Sequence, residues 1–598
     1  MQKIHSLTAC LLGCATLAFA HTSKFTLELT WKVGSPDGFA RDMIFINGQF
    51  PGPILEINQD DWVEITVVNK LPFNTTIHAH GIEQLNTAWA DGVPGLNQLP
   101  IQPGHKFEYK WHANQYGSYF YHAHSQGQVE DGAFGPIIIR PKRNLSKPFN
   151  KISTADVELL EQAERRSKPI LLSDWRHTTS QRTWDLQVEA NLETSICLDS
   201  IIVNGKGAVD CWSREHITQF TNPGIAPLLE QTKLRMTDKG CLPPQIFPIL
   251  LPGTEPNYTA LPQETFEKCT STNGRREVIN VSSKSKWAAF DVISAAGIHT
   301  FNFGIDEHPV WIYAIDGHYI EPVKVDVIPL SNGDRFSIFV QLNKPAQSYG
   351  IRVSGTALAQ LIDTTAVLTY DGKNISDSHV VTSKPFINRA GGPTSETVTV
   401  FNQTQMVSFP PQFPQPPPEP AQTFKLAVGN AGNSILWALN HTVYNHQIHD
   451  SNPPLQFRNP DTIPDDHLLF KTKNNTWVDI ILTVPELSQP PHPIHKHSNK
   501  VFILGQGEGA FNWTTVAQAA AAIPQNFNFK TPAFRDSFVT PPTVTKPTWV
   551  AVRYHVVNPG VFMLHCHIQS HLNGGMSMTI LDGVDEWPKL PLPSGCKA

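Results

Sequence analysis

The amino-acid sequence predicts an all-β protein of three consecutive β-sandwich domains, and three observations lead there. One strand phrase recurs, as Asp60-Asp-Trp-Val-Glu-Ile-Thr-Val-Val68, Asp334-Arg-Phe-Ser-Ile-Phe-Val340 and Thr476-Trp-Val-Asp-Ile-Ile-Leu-Thr-Val484. Each copy follows a polar turn and alternates strongly, the period of a half-buried strand. A second phrase stands upstream of each copy: Ile46-Asn-Gly48, Val203-Asn-Gly205 and Leu439-Asn440. Finally, charged residues make up only 16% of the 598 residues while 49 are proline, a composition that suits loop-rich β domains. Length alone allows about four domains; the repeated phrases set the number at three.

The elements follow in order. Lys3, an apolar run from Leu7 to Phe19 and Ala18-Phe19-Ala20 before His21 predict a signal peptide over residues 1–20, too short to span a membrane. No later stretch reaches the ~18 apolar residues of a spanning helix. The first domain is expected over 21–150. The Glu-, Leu- and Ala-rich stretch Thr154 to Arg166 reads as a helical linker into a second domain, 151–405, where Trp212 to Ser285 is long and weakly patterned. Residues 406–421 contain PPQFPQPPPEP from Pro410 to Pro420 and read as an extended connector. The third domain, 422–598, carries a helical run from Thr515 to Ala522. Nine Asn-x-Ser/Thr sequons, at Asn74, Asn144, Asn257, Asn280, Asn374, Asn402, Asn440, Asn474 and Asn512, together with the leader, predict a secreted or cell-wall glycoprotein. A net charge of −6 without any basic run argues against nucleic acid as a partner.

The chemistry lies in four histidine clusters. Near the C-terminus the chain reads His565-Cys566-His567-Ile-Gln-Ser-His571, with Met576 five residues on. Two imidazoles, a thiolate and a weak axial thioether are the ligands of a blue-copper site. In a strand, His565 and His567 would point to one face and Cys566 to the other. The flanking pair would therefore serve a second metal site, wired to the first through a few covalent bonds. Its partners are supplied by His78-Ala-His80, His122-Ala-His124 and His492-Pro-Ile-His495-Lys-His497. A single His-x-His pair is usually coincidence; four clusters beside β-like segments are not.

In order and spacing, across nearly the whole mature chain, these clusters resemble the copper signatures of multicopper oxidases, the family of laccases, ascorbate oxidases and ferroxidases. The resemblance implies cupredoxin-like domains and four copper ions. Type 1 copper would be held by His492, Cys566 and His571 with Met576 axial, and type 2 by His78 and His495. The type 3 pair would be held by His80, His122 and His567 and by His124, His497 and His565, at the interface of the first and third domains. Dioxygen and a small organic reductant are the implied partners, electrons entering near His492 and His571 and passing through Cys566. Asp91 is expected to assist dioxygen reduction as an acid, and Asp199, before Val-Asn-Gly205, to accept the substrate's proton.

Departures from the commonest laccase pattern are Ala79 in place of Trp, Ala123 in place of Ser, Lys496 and Ser498 in the third signature, and Gln569 where many relatives carry an acid. Met576 replaces the Leu or Phe of high-potential laccases, implying a lower potential. The chain looks most like the fungal, ascomycete branch, although it ends in Pro593-Ser-Gly-Cys-Lys-Ala598 rather than their usual plug. With Cys10 and Cys14 in the leader and Cys566 on copper, Cys197–Cys211 and Cys241–Cys269 are expected as local disulfides. Cys596 is unassigned, because Leu99 stands where the resemblance would place its partner in the first domain. The expected activity is oxidation of phenols, diphenols or enediols. The alternatives are ascorbate oxidase proper and a ferroxidase, against which Leu487-Ser-Gln-Pro-Pro491 offers no acid upstream of the third signature. A storage protein would tolerate lost ligands, and none is lost. A monomer is expected.

Overall fold

The computed structural model describes residues 21–592 except 252, 372–380, 412–419 and 465–468. The expected leader, half of the proline connector, Asn374 and Cys596 lie outside the described residues. Six sheets form three sandwiches. In the first, the sheet Arg41–Ile46, Thr22–Gly34, Trp62–Lys70, Lys106–His112 shares a core with Leu55–Asn58, Phe134–Arg140, Gly117–Ala123, Ile77–His80. The second and third sandwiches each pair a six-stranded with a five-stranded sheet.

The turn phrase recurs in space as it does in sequence. Asn47, Asn204 and Asn440 all adopt left-handed backbone (φ 52, 49 and 53°) and are followed by Gly48, Gly205 and His441, also at positive φ. Asn and Gly are the residues that tolerate this. Each Asn N–H donates to a carbonyl of the neighbouring strand, at Glu28, Leu171 and Ala427. The strand phrase recurs less faithfully. Trp62–Lys70 and Trp477–Val484 each run parallel to the first strand of their sandwich, Thr22–Gly34 and Gln422–Asn430. In the middle sandwich that place belongs to Trp287–Ser294, parallel to Lys168–Trp175, and Arg335–Gln341 is its antiparallel neighbour. Adjacent central strands share one alternation, so periodicity alone could not separate them.

The linker folds as helix Val157–Arg165, whose Leu160 and Ala163 pack beside Trp287 and Phe339. Thr515 caps helix Val516–Ala522 by accepting from the Gln518 N–H. Between Trp212 and Ser285 lie short helices around Trp212, Ile217, Leu229, Ile246 and Phe266. The disulfides here correct the expected pairing: they join Cys197 to Cys241 and Cys211 to Cys269, each with Cα atoms 5.8 Å apart. The insertion folds back so that Cys241 and Cys269 reach the residues on either side of the strand Ser200–Val203; cysteines distant in sequence meet and those near in sequence do not. No helix among the described residues is long and apolar enough to cross a membrane.

Candidate metal centre

Strand pairing alone brings the clusters together. In the first sandwich Ile77–His80 lies antiparallel to Gly117–Ala123, placing His78 opposite His122. In the third, Pro493–Lys496 lies antiparallel to Gly560–Cys566, placing His495 opposite His565 and Ile494 opposite Cys566. The two ladders face each other across the sandwich interface. His78 stacks on His497 at 4.0 Å between ring centroids, and His80 on His495 at 3.8 Å. Alternation at the C-terminal cluster is as expected: His565 and His567 turn to this interface, while Cys566 turns to His492 and His571 inside the third sandwich.

The hydrogen bonds fix which ring nitrogens face inward. Nδ1–H of His78, His122, His495 and His565 donates to the carbonyls of Asp91, Ala123, Asp536 and Cys566, at 2.7–3.0 Å. A carbonyl can only accept, so the proton is on Nδ1 and Nε2 is a lone pair. His497 Nδ1–H donates to Asp91 Oδ2 at 2.8 Å. Its Nε2 then lies 3.2 Å from Nε2 of His565, lone pair against lone pair. Nε2 of His78, His122, His124 and His495, Nδ1 of His80 and both nitrogens of His567 are buried without a hydrogen-bond partner. So many orphaned donor atoms at one place would be costly if nothing bound them. His78/His80/His122, His78/His495/His497 and His124/His497/His565 each bring their ligand atoms within 4.8 Å of one another. Burial, reinforced by neighbouring imidazoles, pulls His80, His124, His495, His497 and His567 well below the ordinary histidine range, His122 to about 3 and, with burial the main cause, His565 to about 4. The rings are therefore neutral, as metal ligands must be.

In the second group, His492 Nδ1 and His571 Nδ1 lie 3.1 Å apart and 4.0 and 3.7 Å from Cys566 Sγ. Met576 is fully buried, and its carbonyl accepts from the Cys566 N–H. Burial pushes the Cys566 thiol up, so only a cation in the site would draw off its proton. Soft sulfur with imidazole is a donor set that fits copper.

Asp91 is fully buried. Besides His497 it lies 3.3 Å from His78 Nδ1 through Oδ1, so one carboxylate spans histidines of both sandwiches. Gly92 holds it there: at φ 90° a Cβ would sit 2.1 Å from the Ile77 carbonyl. Asp199 is engaged elsewhere, 2.7 Å from Lys239 Nζ and accepting from the His177 N–H. The carboxylate at His571 is Glu193, 3.5 Å from Nε2 and accepting from the Ser570 hydroxyl at 2.5 Å. Trp437 stacks on His571 at 3.7 Å. Neither was foreseen, because Glu193 comes from the middle sandwich and Trp437 from a distant strand, with no spacing to link them to the clusters. Gln569 amide lies against the His567 carbonyl.

Multicopper oxidase family models match residues 28–144, 166–373 and 436–586. The chain is 41% identical to "Laccase abr2" of Aspergillus fumigatus over 98% of both chains, and 35% identical to "Laccase-1" of Emericella nidulans over 96% of this chain and 97% of that one. Among solved structures, a laccase from Botrytis aclada superposes with a TM-score of 0.69 at 23% identity, over 95% of this chain and 89% of that one. Fet3p, a multicopper oxidase that functions in iron import, gives 0.67 at 19% identity, over 96% and 93%; these two likenesses bear on the fold. Sequence, fold and donor set agree: the chain belongs to the multicopper oxidase family, as a fungal laccase-like, copper-binding oxidoreductase.

Proposed function

We propose that the protein is a secreted laccase-like oxidase that couples one-electron oxidation of phenolic, diphenolic or enediol substrates to reduction of dioxygen to water. The observation that carries this reading is the convergence of orphaned imidazole nitrogens from two sandwiches beside a separate Cys–His–His group. In this assignment His492, Cys566, His571 and Met576 hold type 1 copper and His78 and His495 hold type 2. His80, His122, His567 and His124, His497, His565 hold the type 3 pair. Four coppers so held would supply one-electron acceptance from the donor and four-electron reduction of dioxygen.

The protein's own residues shape both ends. Cys566 is bonded through its backbone to His565 and His567, so the two sites share a covalent path two residues wide. At the outer end Glu193, 3.5 Å from His571 Nε2, is placed to take the proton that a phenol loses with its electron. We assign that role to Glu193 rather than to Asp199, whose carboxylate is paired with Lys239. At the inner end Asp91 fixes the tautomers of His78 and His497 and is the carboxylate nearest the site of proton demand. Glu193, tied to Ser570, suits a hydroxyl donor better than Fe(II), which as a hard cation asks for several oxygen ligands. Secretion is the reading that the expected leader and the sequons support.

Oxygen uptake by the copper-loaded protein tests the reading, with a diphenol, ascorbate and Fe(II) compared side by side. Turnover of the diphenol with dioxygen consumed to water is expected. Iron turnover clearly above both organic donors would replace the proposal with the ferroxidase reading.

A further inference from the structure

The middle sandwich contributes none of the expected ligands, yet one of its turns presses against the histidine cluster. Gly333, at φ 88°, packs so closely on His80 that a Cβ there would lie 2.8 Å from the ring. Two residues on, Arg335 is fully buried and grips Asp536 of the third sandwich with both ends of its fork, at 2.6 Å each. Its Nε–H reaches the Ser118 carbonyl of the first sandwich, so one side chain touches all three. Asp536 in turn is a neighbour of two expected ligands. Its carbonyl accepts from His495 Nδ1–H at 2.9 Å, and its Oδ1 lies 3.6 Å from His80 Nε2. Ser537, the next residue, sits 3.3 Å from the same nitrogen.

The surrounding charges balance. Asp316, Asp334 and Arg335 of the middle sandwich meet Lys500, Arg535 and Asp536 of the third, three acids against three bases, all buried. A desolvated network of this kind holds one geometry because any displacement strands a charge. A bidentate arginine–carboxylate pair is its most directional member.

We infer that the Gly333–Arg335 turn is a positioning device for the histidine cluster: Arg335, acting through Asp536, sets the orientation of His80 and His495, so that the cluster binds copper correctly only when the middle sandwich is docked. This rests on the ligand assignment above and adds to it an assembly role for the domain that supplies no ligand.

The test uses the full copper-loaded chain and reads each site separately. Arg335→Lys keeps the charge and loses the fork; Arg335→Met loses both; Gly333→Ala pushes on His80. Arg535→Lys serves as comparator, since Arg535 belongs to the same network but bonds Asp316 and Asp334 and not Asp536. The Arg335 variants should keep the blue absorption of the Cys566 site. They should lose copper from the cluster, or change its type 2 electron paramagnetic resonance signal, with affinity lower by about 10- to 100-fold, as when an outer partner of a metal ligand is removed. Gly333→Ala should shift the same signal, and Arg535→Lys should lower the melting temperature without touching it. Wild-type copper content and spectra in Arg335→Met and Gly333→Ala would overturn the inference. So would an equal loss of cluster copper in Arg535→Lys. A wild-type protein that loads only the Cys566 site would sink the ligand assignment itself, and this inference with it.

Discussion

Lys496 stands between His495 and His497, is fully buried, and places Nζ 3.2 Å from Asp582 Oδ2 and 4.1 Å from the Tyr554 ring. Asp582 is better supplied: its Oδ1 also accepts from the Tyr554 and Thr472 hydroxyls, both at 2.8 Å. Burial pulls Lys496 down, and Asp582 opposes that shift. Breaking a buried pair by removing one member costs about 3–5 kcal/mol, because the other charge is stranded, whereas replacing both by apolar groups is often near neutral. The two single variants should therefore differ. Asp582→Asn strands an ammonium whose remaining oxygen partner is the His497 carbonyl, so the upper part of that range is expected, about 5 kcal/mol. Lys496→Met strands a carboxylate that keeps two hydroxyl donors, so the lower end of that range is expected, about 3 kcal/mol. At about 2–4 °C per kcal/mol for a domain of this size, the melting transitions separate by roughly 4–8 °C. Calorimetry on metal-free protein is the assay, since bound copper would add its own stabilisation. Lys496→Met with Asp582→Leu should recover most of the loss. Single variants equal to each other and within about 1 kcal/mol of wild type would refute the reasoning from stranded charge.

Glu193→Gln should lower kcat/KM for a phenol by about 100-fold, the scale of a lost general base, while leaving an outer-sphere donor that carries no proton, such as ferrocyanide, nearly unchanged. Asp199→Asn should act on stability instead, leaving the buried Lys239 without its carboxylate at a cost of about 1–3 kcal/mol, with phenol turnover within about twofold of wild type by the same steady-state assay. For Asp316, burial pushes the pKa up, but Arg535 and Arg335 outweigh it and hold the group at about 2, below its ordinary 3.8. A depressed carboxylate contributes stability that is complete above pH ~4 and lost as pH falls from ~4 towards ~2, on the order of 2 kcal/mol. Melting of metal-free protein through that window should show the loss, and Asp316→Asn should flatten it. Peptide mapping under non-reducing conditions should recover Cys197 linked to Cys241 and Cys211 linked to Cys269; the sequential pairs would contradict the fold of the insertion.

How much of this was legible in the sequence depends on how local each signal was. The His–Cys–His alternation needs only the two-residue period of a strand, so the opposite facing of Cys566 and its neighbours could be read directly. The Asn-Gly turns were legible for the same reason, because positive φ at consecutive residues has few sequence solutions. The strand phrase misled at Asp334 because Arg335–Gln341 and Trp287–Ser294 are adjacent central strands with the same alternation. Long-range partners left no trace. Glu193 meets His571, and Arg335 meets Asp536, across sandwich interfaces with no spacing that marks them. The disulfides fell between these cases. The cysteines were visible, but their pairing depended on how a weakly patterned insertion folds back.

In the proposed assignment, ten imidazoles and one thiolate make two separate copper centres joined at Cys566. Copper quantitation combined with electron paramagnetic resonance, on wild type and Cys566→Ser, tests this most directly. The expected result is about four coppers per wild-type molecule. In the variant the blue absorption and one copper should be lost, while the type 2 signal of the histidine cluster persists. A fully active wild-type protein with far fewer coppers, or a Cys566→Ser variant that still oxidises its donor at the wild-type rate, would contradict it.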